Sequence, residues 1–502
     1  MKSVNTQKVF GPPGTGKTTY LLNVVQTELA NDTPSNKIGY FAFTRKAANE
    51  ARDRAIAQFP HLNPTIDFPW FRTLHSLAFR CLGVSAKEMM QDEHYREFGK
   101  TCGLEIRTEN EGEGFISRAD NAILNEINLA RIKGLDLKTH YNQSNLQIEW
   151  FHFEYVERAY RHYKREQGLL DFTDLLEMIV EQPNLLPKLD ALIIDESQDL
   201  SRLQWMLVKD LAKRSDRVFL AGDDDQAIYN WAGADVDSFL AYPGEVKVLD
   251  KSYRIPAKVH ELAERVVKRI SKRQPKQWSS KDEEGNIQTY SHFSYVDMTQ
   301  GDWLVMAAAN YMLDEMPNWL KSQGLLYERF GHRSISEKVL TAVYGWEMLR
   351  KGGEVPLSTV QTIYAYLDSG LVAKGFKKLP NAPEDQFYNL QLLHNKWGLL
   401  TDGIWHEVLT KISLEQREYI IALLRRGVKL NTMPKIKLST IHGAKGGEAD
   451  NVLLLTDLST KFAKAYDTNP DDINRLLYVG VTRTRKALHL VLPNNSNKGF
   501  RL

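Results

Sequence analysis

Cysteine is nearly absent: Cys81 and Cys102 are the only two in 502 residues. Two cysteines cannot build a disulfide framework or a four-ligand zinc site, so both thiols are expected to be reduced and partly buried. Long apolar runs are missing as well. No stretch approaches the roughly 18 residues that a membrane-spanning helix needs, and Met1-Lys2-Ser3-Val4 starts no secretory signal. A soluble, cytoplasmic protein without a membrane partner is expected. An excess of charge is also lacking: Lys and Arg number 65 against 63 Asp and Glu, a net of +2. Bulk charge therefore announces no polyanionic partner, and any such footprint must be local, in a groove. There is no internal repeat and no low-complexity tract.

What remains is an ordinary globular composition, 42% hydrophobic and 25% charged, on a chain long enough for three or four structural units at about 150 residues each. The first motif comes almost at once. Val9-Phe10 reads as the end of a strand and runs into Gly11-Pro12-Pro13-Gly14-Thr15-Gly16-Lys17-Thr18, followed by the helical-looking Tyr20-Leu21-Leu22-Asn23-Val24-Val25. Glycines at 11, 14 and 16 let the backbone curl until successive N–H groups face one anion, and the dipole of the helix starting at Thr18 favours the same charge. Lys17 is placed to reach terminal phosphates and the Thr18 hydroxyl to ligate Mg²⁺. The pattern is that of a nucleoside triphosphatase.

A second apolar run, Leu192-Ile193-Ile194, ends in Asp195-Glu196-Ser197-Gln198-Asp199. Carboxylates at the C-terminal end of a buried parallel strand suit metal holding by Asp195 and activation of the attacking water by Glu196. A third run, Val218-Phe219-Leu220-Ala221, leads into Gly222-Asp223-Asp224-Asp225-Gln226 and on to Tyr229 and Trp231. Gln226 can hydrogen-bond both a γ-phosphate and a water, which makes it a natural sensor. Alone, the aromatic pair would read as core; beside a nucleotide site it is also a candidate platform for unpaired bases.

These motifs, in this order, resemble those of the superfamily 1 helicases of the UvrD/PcrA/Rep group, in a compact version. The likeness extends to Phe43-Thr44-Arg45-Lys46-Ala47-Ala48, Thr73-Leu74-His75-Ser76, Leu170-Asp171-Phe172-Thr173-Asp174-Leu175-Leu176, Leu249-Asp250-Lys251-Ser252-Tyr253-Arg254, Leu438 to Glu448, and Leu477-Tyr478-Val479-Gly480-Val481-Thr482-Arg483. The resemblance implies an α/β fold of two RecA-like parallel-sheet motor domains, each carrying a mainly helical inserted subdomain. It implies ATP and Mg²⁺ as cofactors, with Gly11, Gly14, Thr15, Gly16, Lys17, Thr18 and Thr19 around the nucleotide, Tyr253 on the adenine and Glu448 toward the ribose or phosphates. Arg254 and Arg483 would act as arginine fingers beside Lys17, Glu196 and Gln226. Phe43, Thr44, Thr73, His75, Tyr229, Trp231, Thr440 and His442 would touch DNA without reading its sequence.

The chain also departs from the family. Thr19 stands where arginine is common, Arg45 where asparagine is common, Gly447 where leucine is common, and Ala232 follows Trp231 where arginine is frequent. Only ten residues precede Gly11, and Gln7 is too near the loop to serve as the family's upstream adenine-recognition glutamine.

By the resemblance, the first motor domain takes residues 1–80 and 167–245 with a helical insertion at 81–166. The second takes 246–335 and 435–502 with a shortened helical insertion at 336–434, and no room is expected for a nuclease domain. Phe153, Val156, Tyr160 and Tyr163 recur at helical spacing and read as core. The basic cluster Lys268, Arg269, Lys272, Arg273 and Lys276 is expected either to approach DNA or to form a solvated helix face. The activity implied is an ATP-dependent 3′-to-5′ DNA helicase acting on single strands and single-strand/duplex junctions, with a monomer sufficing. Alternatives are a translocase that displaces proteins and unwinds only with a partner, a nucleotide-switched DNA-binding module, and an RNA-directed motor.

Overall fold

The computed structural model describes residues 5–108 and 119–502. Residues 1–4, on which the reading of the amino terminus rests, and 109–118 within the first expected insertion lie outside the described residues. Two compact units emerge: Met1–Glu284 with Lys464–Thr482, and Gly285–Ala463 with Arg483–Arg501.

The first unit is built on six strands, β1 (Asn5–Phe10), β2 (Ile38–Phe41), β3 (Phe71–Arg72), β4 (Leu189–Ile194), β5 (Ser215–Gly222) and β6 (Glu245–Val248), in the order β3-β2-β4-β5-β1-β6. Every pairing is parallel. The apolar runs follow from this, because helices cover both faces and each strand must bury both of its sides. Val9, Tyr40 and Ile193 point into one core with α1 (Lys17–Ala30) and α2 (Arg45–Gln58). Their neighbours Phe10, Phe41, Leu192 and Ile194 point into the other, with α3 (Leu74–Leu82) and the helices Phe172–Glu181 and Arg202–Lys213. Register sets Phe10 opposite Gly222, and Ile194 opposite both Phe41 and Leu220. The C-terminal ends of β1, β4 and β5 thus lie along one edge, where open parallel sheets place their ligands.

Between α3 and Asp171 the helices Asp92–Cys102, Ala122–Ile132, Leu137–Gln143 and Trp150–Gln167 enclose a separate core around Phe98, Ile127, Phe153, Val156 and Tyr160. Tyr163 is half-buried at its margin and donates to Glu97 at 2.7 Å. A buried ion cluster joins this layer to the helix Phe172–Glu181: Arg131 and Lys164 each pair with Asp171 and Asp174.

The second unit is built on one seven-stranded sheet of β7 (Asn286–Tyr290), β8 (Trp303–Ala307), β9 (Tyr327–Arg329), β10 (His332–Arg333), β11 (Ile436–Thr440), β12 (Ala449–Leu455) and β13 (Thr484–Val491), in the order β10-β9-β11-β8-β12-β13-β7. Only the short β9–β10 pair is antiparallel. The helices Glu337–Arg350, Leu357–Tyr366 and Leu414–Arg425 lie in the long segment between β10 and β11 and share one core with this sheet. Pro380 and Pro383 fall in irregular chain there, as their spacing suggests. Two parallel sheets, each with inserted helices, make the α/β architecture that the resemblance implies.

One boundary differs. β6 pairs with β1, Val246 opposite Lys8, so the start of the second motor expected at 246 runs through the edge strand of the first sheet. The helix Ala257–Val267 and the helix Pro470–Val481 also group with the first unit. Among the described residues no helix is long and apolar enough to cross a membrane.

Candidate functional site

The loop from Gly11 to Gly16 leaves β1 at the C-terminal edge of the first sheet. Gly14 and Gly16 adopt φ of 73° and 76°, the left-handed region where a side chain is strained. Gly11 serves differently: a Cβ there would stand 3.0 Å from the Lys17 Cβ, so its bare Cα makes room for the lysine stem. Thr15 closes the turn through its N–H and hydroxyl, both donated to the Pro12 carbonyl. Gly16 caps α1, whose first residue is Lys17; Thr18 lies half-buried in the first turn and Thr19 is exposed. Gln7 accepts the Tyr20 hydroxyl at 2.7 Å.

Lys17 Nζ meets Glu196 Oε1 at 2.9 Å. Burial opposes the charge, but the Glu196 and Asp195 carboxylates outweigh it and hold the ammonium above its ordinary pKa. Asp195, at the end of β4, accepts from the Tyr40 hydroxyl at 3.0 Å and from the Glu196 N–H at 2.8 Å. Burial, with the Glu196 carboxylate adding to it against Lys17, pushes its carboxyl up to about 6. Glu196 itself sits at φ 53° and ψ 41°, a strained backbone for a non-glycine residue.

Behind this pair lies a side chain to which the sequence reading gave no role. Gln198 is fully buried; its amide nitrogen donates to Glu196 Oε2 at 2.5 Å and to Asp199 Oδ2 at 3.1 Å, and its oxygen accepts the Asp223 N–H at 3.0 Å. A Cβ on Gly222 would stand 2.4 Å from that oxygen, so the glycine ending β5 admits the glutamine. Asp223 Oδ2 in turn accepts from Gln226 Nε2 at 2.6 Å. A polar route therefore runs Lys17, Glu196, Gln198, Asp223, Gln226. The sequence signal was present, a glutamine locked inside an acidic strand-end motif, but its partner lies a strand away.

Asp223, Asp224 and Asp225 lie close enough to suggest a cation site. Lys276 already supplies the cation: its Nζ is 3.0, 2.5 and 2.8 Å from the three carboxylates, and Arg273 pairs with Asp225 at 2.6 Å. The basic cluster expected to face DNA or solvent is thereby corrected for Arg273 and Lys276, which neutralise buried aspartates.

Tyr253 and Arg254 adjoin the loop. The Tyr253 N–H donates to the Gly14 carbonyl at 2.8 Å while its ring is 76% exposed, and a Cβ on Gly14 would stand 2.3 Å from the Arg254 Cβ. Ser252, likewise given no role by its sequence position, donates its hydroxyl to the Pro13 carbonyl at 2.7 Å from a fully buried position.

Along the same sheet edge, Thr44 and Thr73 are helix N-caps: their hydroxyl oxygens accept the N–H of Ala47 at 3.1 Å and of Ser76 at 3.2 Å. Phe43 and Tyr229 stack at 6.0 Å and 16°, and Trp231 is 56% exposed. His75 meets the Phe172 ring edge-on at 6.0 Å; burial and then Arg45 push its pKa down to about 4, so it is neutral at physiological pH. The remaining expected residues belong to the second unit. Thr440 ends β11 and accepts the Gly443 N–H at 3.0 Å; His442 stacks on Phe462. Glu448 is paired with Arg485 at 3.5 Å, and Arg483 is almost fully buried, its guanidinium within 3.4 Å of the Gly447 carbonyl.

A parallel sheet that delivers a phosphate loop, a strand-end carboxylate pair and a glutamine to one edge defines the class, a P-loop nucleoside triphosphatase of RecA-like build. Residues 2–247 match the model of the UvrD/REP helicase N-terminal domain, and residues 388–495 that of the UvrD-like helicase C-terminal domain. The chain belongs to the UvrD/PcrA/Rep type of superfamily 1 helicases. It is 28% identical over 310 residues to the ATP-dependent DNA helicase PcrA of Bacillus subtilis, covering 55% of this chain and 39% of that protein. It is 25% identical over 348 residues to DNA helicase II of Haemophilus influenzae, covering 63% of this chain and 45% of that one. The chain thus spans less than half the length of the curated relatives it matches.

Proposed function

We propose that the protein is an ATP-dependent DNA helicase that moves 3′ to 5′ along single-stranded DNA and separates the duplex ahead of it. The observation that carries the reading is the continuity from Lys17 and Glu196 through Gln198 and Asp223 to Gln226, three residues before Tyr229 and five before Trp231. Hydrolysis chemistry and a candidate base platform share one short segment, so a change at the phosphates can be felt at the strand.

The loop suits a triphosphate: its glycines are bare where Lys17 and Arg254 press closest, and Lys17 is held charged. Gly11 to Thr19 would hold ATP, Tyr253 would cover the base, and Thr18 with Asp195 would hold Mg²⁺, which neutralises phosphate charge when bound. Glu196 accepts the proton of the attacking water, Gln226 orients that water, and Arg254 and Arg483 stabilise charge on the transferred phosphoryl group. Thr44 and Thr73 grip phosphates through hydroxyls and helix N-termini and Thr440 through its hydroxyl, while Phe43, Tyr229 and Trp231 stack bases. In this reading the two units are the two motor halves, with 81–166 and 336–434 as their insertions, and a monomer in the cytoplasm performs the cycle.

The test is ATP-driven strand separation on matched duplexes with a 3′ tail, a 5′ tail or none, with Lys17→Ala as control. Unwinding of the 3′-tailed duplex alone supports the proposal. DNA-stimulated hydrolysis without separation of any duplex would replace it with a translocase that needs a partner.

A further inference from the structure

Tyr40 lies on β2, the strand between β3 and β4, and is 1% exposed. Register sets it opposite Phe71 on one side and Ile193 on the other. Its ring packs into the core that α1 and α2 cover, stacked on Phe71 at 5.4 Å and 19°, and Phe71 in turn meets Phe68 edge to face. Phenylalanine would fill that place as well, since strands buried on both faces are written in apolar residues. A tyrosine adds a hydroxyl that must find a partner inside the protein. The partner is Asp195 Oδ2, at 3.0 Å, two residues beyond Ile193 and just past the end of β4.

Two further contacts hold that aspartate. Its N–H donates to the Phe41 carbonyl at 2.9 Å, which ties its backbone to the residue after Tyr40, and its Oδ1 accepts the Glu196 N–H at 2.8 Å. Each carboxylate oxygen thus has one neutral donor, and the Tyr40 hydroxyl is the side-chain donor of the two. Among the described residues no lysine or arginine pairs with Asp195; Lys17 is committed to Glu196. A carboxylate offers about four lone-pair positions, so capacity is left for a cation. The direction of Oδ2 is set by a hydroxyl whose ring is locked between strands.

We propose that Tyr40 is a positioning residue for the metal that accompanies ATP: its hydroxyl fixes Asp195 Oδ2 and so sets how tightly Asp195 grips Mg²⁺. The proposal rests on the reading of Asp195 as a metal holder and names the side chain behind it. Losing the donor has two opposed effects. The freed carboxylate is more basic, which favours a cation, but it is also free to turn away. The second effect wins in metal sites generally, where removing a partner behind a ligand costs about 10- to 100-fold in metal affinity.

The experiment titrates a non-hydrolysable ATP analogue into the full chain by calorimetry, once with Mg²⁺ and once with EDTA, and takes the ratio of the two affinities. Tyr40→Phe keeps the ring and its stack on Phe71 and removes only the hydroxyl. The ratio should fall by about tenfold while the affinity in EDTA stays that of wild type. The Mg²⁺ concentration that half-activates hydrolysis should rise by a similar factor, with kcat at saturating Mg²⁺ largely kept. Thermal unfolding reports whether the variant is folded. A wild-type ratio in folded Tyr40→Phe, a larger ratio, or an equal loss with and without Mg²⁺ would each overturn the proposal and leave the reading of Asp195 standing. A second pair, Asp195→Asn and Tyr40→Phe/Asp195→Asn, asks the same question with no carboxylate left short of a donor. These two should share one ratio; a further fall in the double variant would show that Tyr40 acts on the fold and not through Asp195. Wild-type affinity that is indifferent to Mg²⁺ would instead remove the reading of Asp195 itself, and the proposal with it.

Discussion

Lys17 Nζ lies 2.9 Å from Glu196 Oε1, so the lysine of the phosphate loop and the carboxylate that follows β4 are partners. A γ-phosphate taking the ammonium must compete with that carboxylate, and the Oε1 so released would be the proton acceptor while Gln198 holds Oε2. Glu196→Gln is therefore expected to lower kcat by about 10²- to 10⁴-fold, the usual worth of a general base, while ATP affinity stays equal or tightens. Single-turnover hydrolysis and nucleotide titration check both halves. Equal loss of binding would assign Glu196 a structural part.

Gln198 donates to Glu196 Oε2 at 2.5 Å, so in the proposed reaction it would aim that carboxylate. Gln198→Leu keeps the volume but removes the donor to Glu196 and the acceptor of the Asp223 N–H, so kcat should fall by at least about tenfold with little change in ATP affinity. The sharper measurement is a cycle with Glu196→Asp. If Gln198 acts through Glu196, the second substitution costs less in the double variant than alone; additive losses would indicate general destabilisation.

Ser252 supports the loop from the opposite side. Its hydroxyl donates to the Pro13 carbonyl and accepts the Ile255 N–H at 3.1 Å in a fully buried position. Ser252→Ala leaves both groups short of a partner, a loss on the order of 1–3 kcal/mol. The expected result is a raised KM for ATP and a lower unfolding temperature, with kcat changed much less than KM.

Spacing made legible the positions of groups that follow one another in the chain: the loop from Gly11 to Thr18 after β1, the Asp195-Glu196 pair after β4, and Gln226 after β5. The strands bearing them were legible because parallel strands buried on both faces are written as apolar runs. The roles of Gln198, Ser252 and Tyr40 were not, because each depends on an atom brought close only by sheet register. The same reason explains Arg273 and Lys276: a basic cluster looks alike in sequence whether it faces solvent or buried aspartates. The boundary at 246 was illegible too, since Glu245–Val248 is a short strand whose side of the division is decided by pairing with β1.

His75 supplies a pH test. Its pKa is lowered to about 4 in the folded protein against an ordinary 6.5, so between these values the unfolded state binds more protons. The contribution of His75 to stability is present above about pH 6.5 and is lost as pH falls toward 4, by at most about 1.4 kcal/mol per unit and less where solvent screens the ring. His75→Gln should therefore lose less stability than wild type between pH 7.5 and 5. Denaturant unfolding of the two proteins at each pH isolates this difference from other titrating groups, and parallel curves would exclude it.

Trp231 offers the plainest test of the base platform. Its ring is 56% exposed, on a turn closed by the Ala232 N–H donating to the Tyr229 carbonyl at 2.8 Å and held by Asn230, which donates to Asp472 at 2.7 Å. More than half of the residue is exposed, so Trp231→Ala should cost no more than about 1 kcal/mol of stability, less than a core substitution. A base stacked on that indole is worth about 1–3 kcal/mol, so single-stranded DNA should bind roughly 5- to 150-fold more weakly, with no preference among sequences. The concentration of DNA that half-activates hydrolysis should rise by a similar factor while the rate at saturating DNA is largely kept. Tyr229→Ala should differ in kind, because Tyr229 also stacks on Phe43, and its loss should cost stability as well as affinity. If Trp231→Ala binds DNA as wild type does, the bases pass elsewhere, and the link from Gln226 to the strand would have to run through Tyr229 and Phe43 alone.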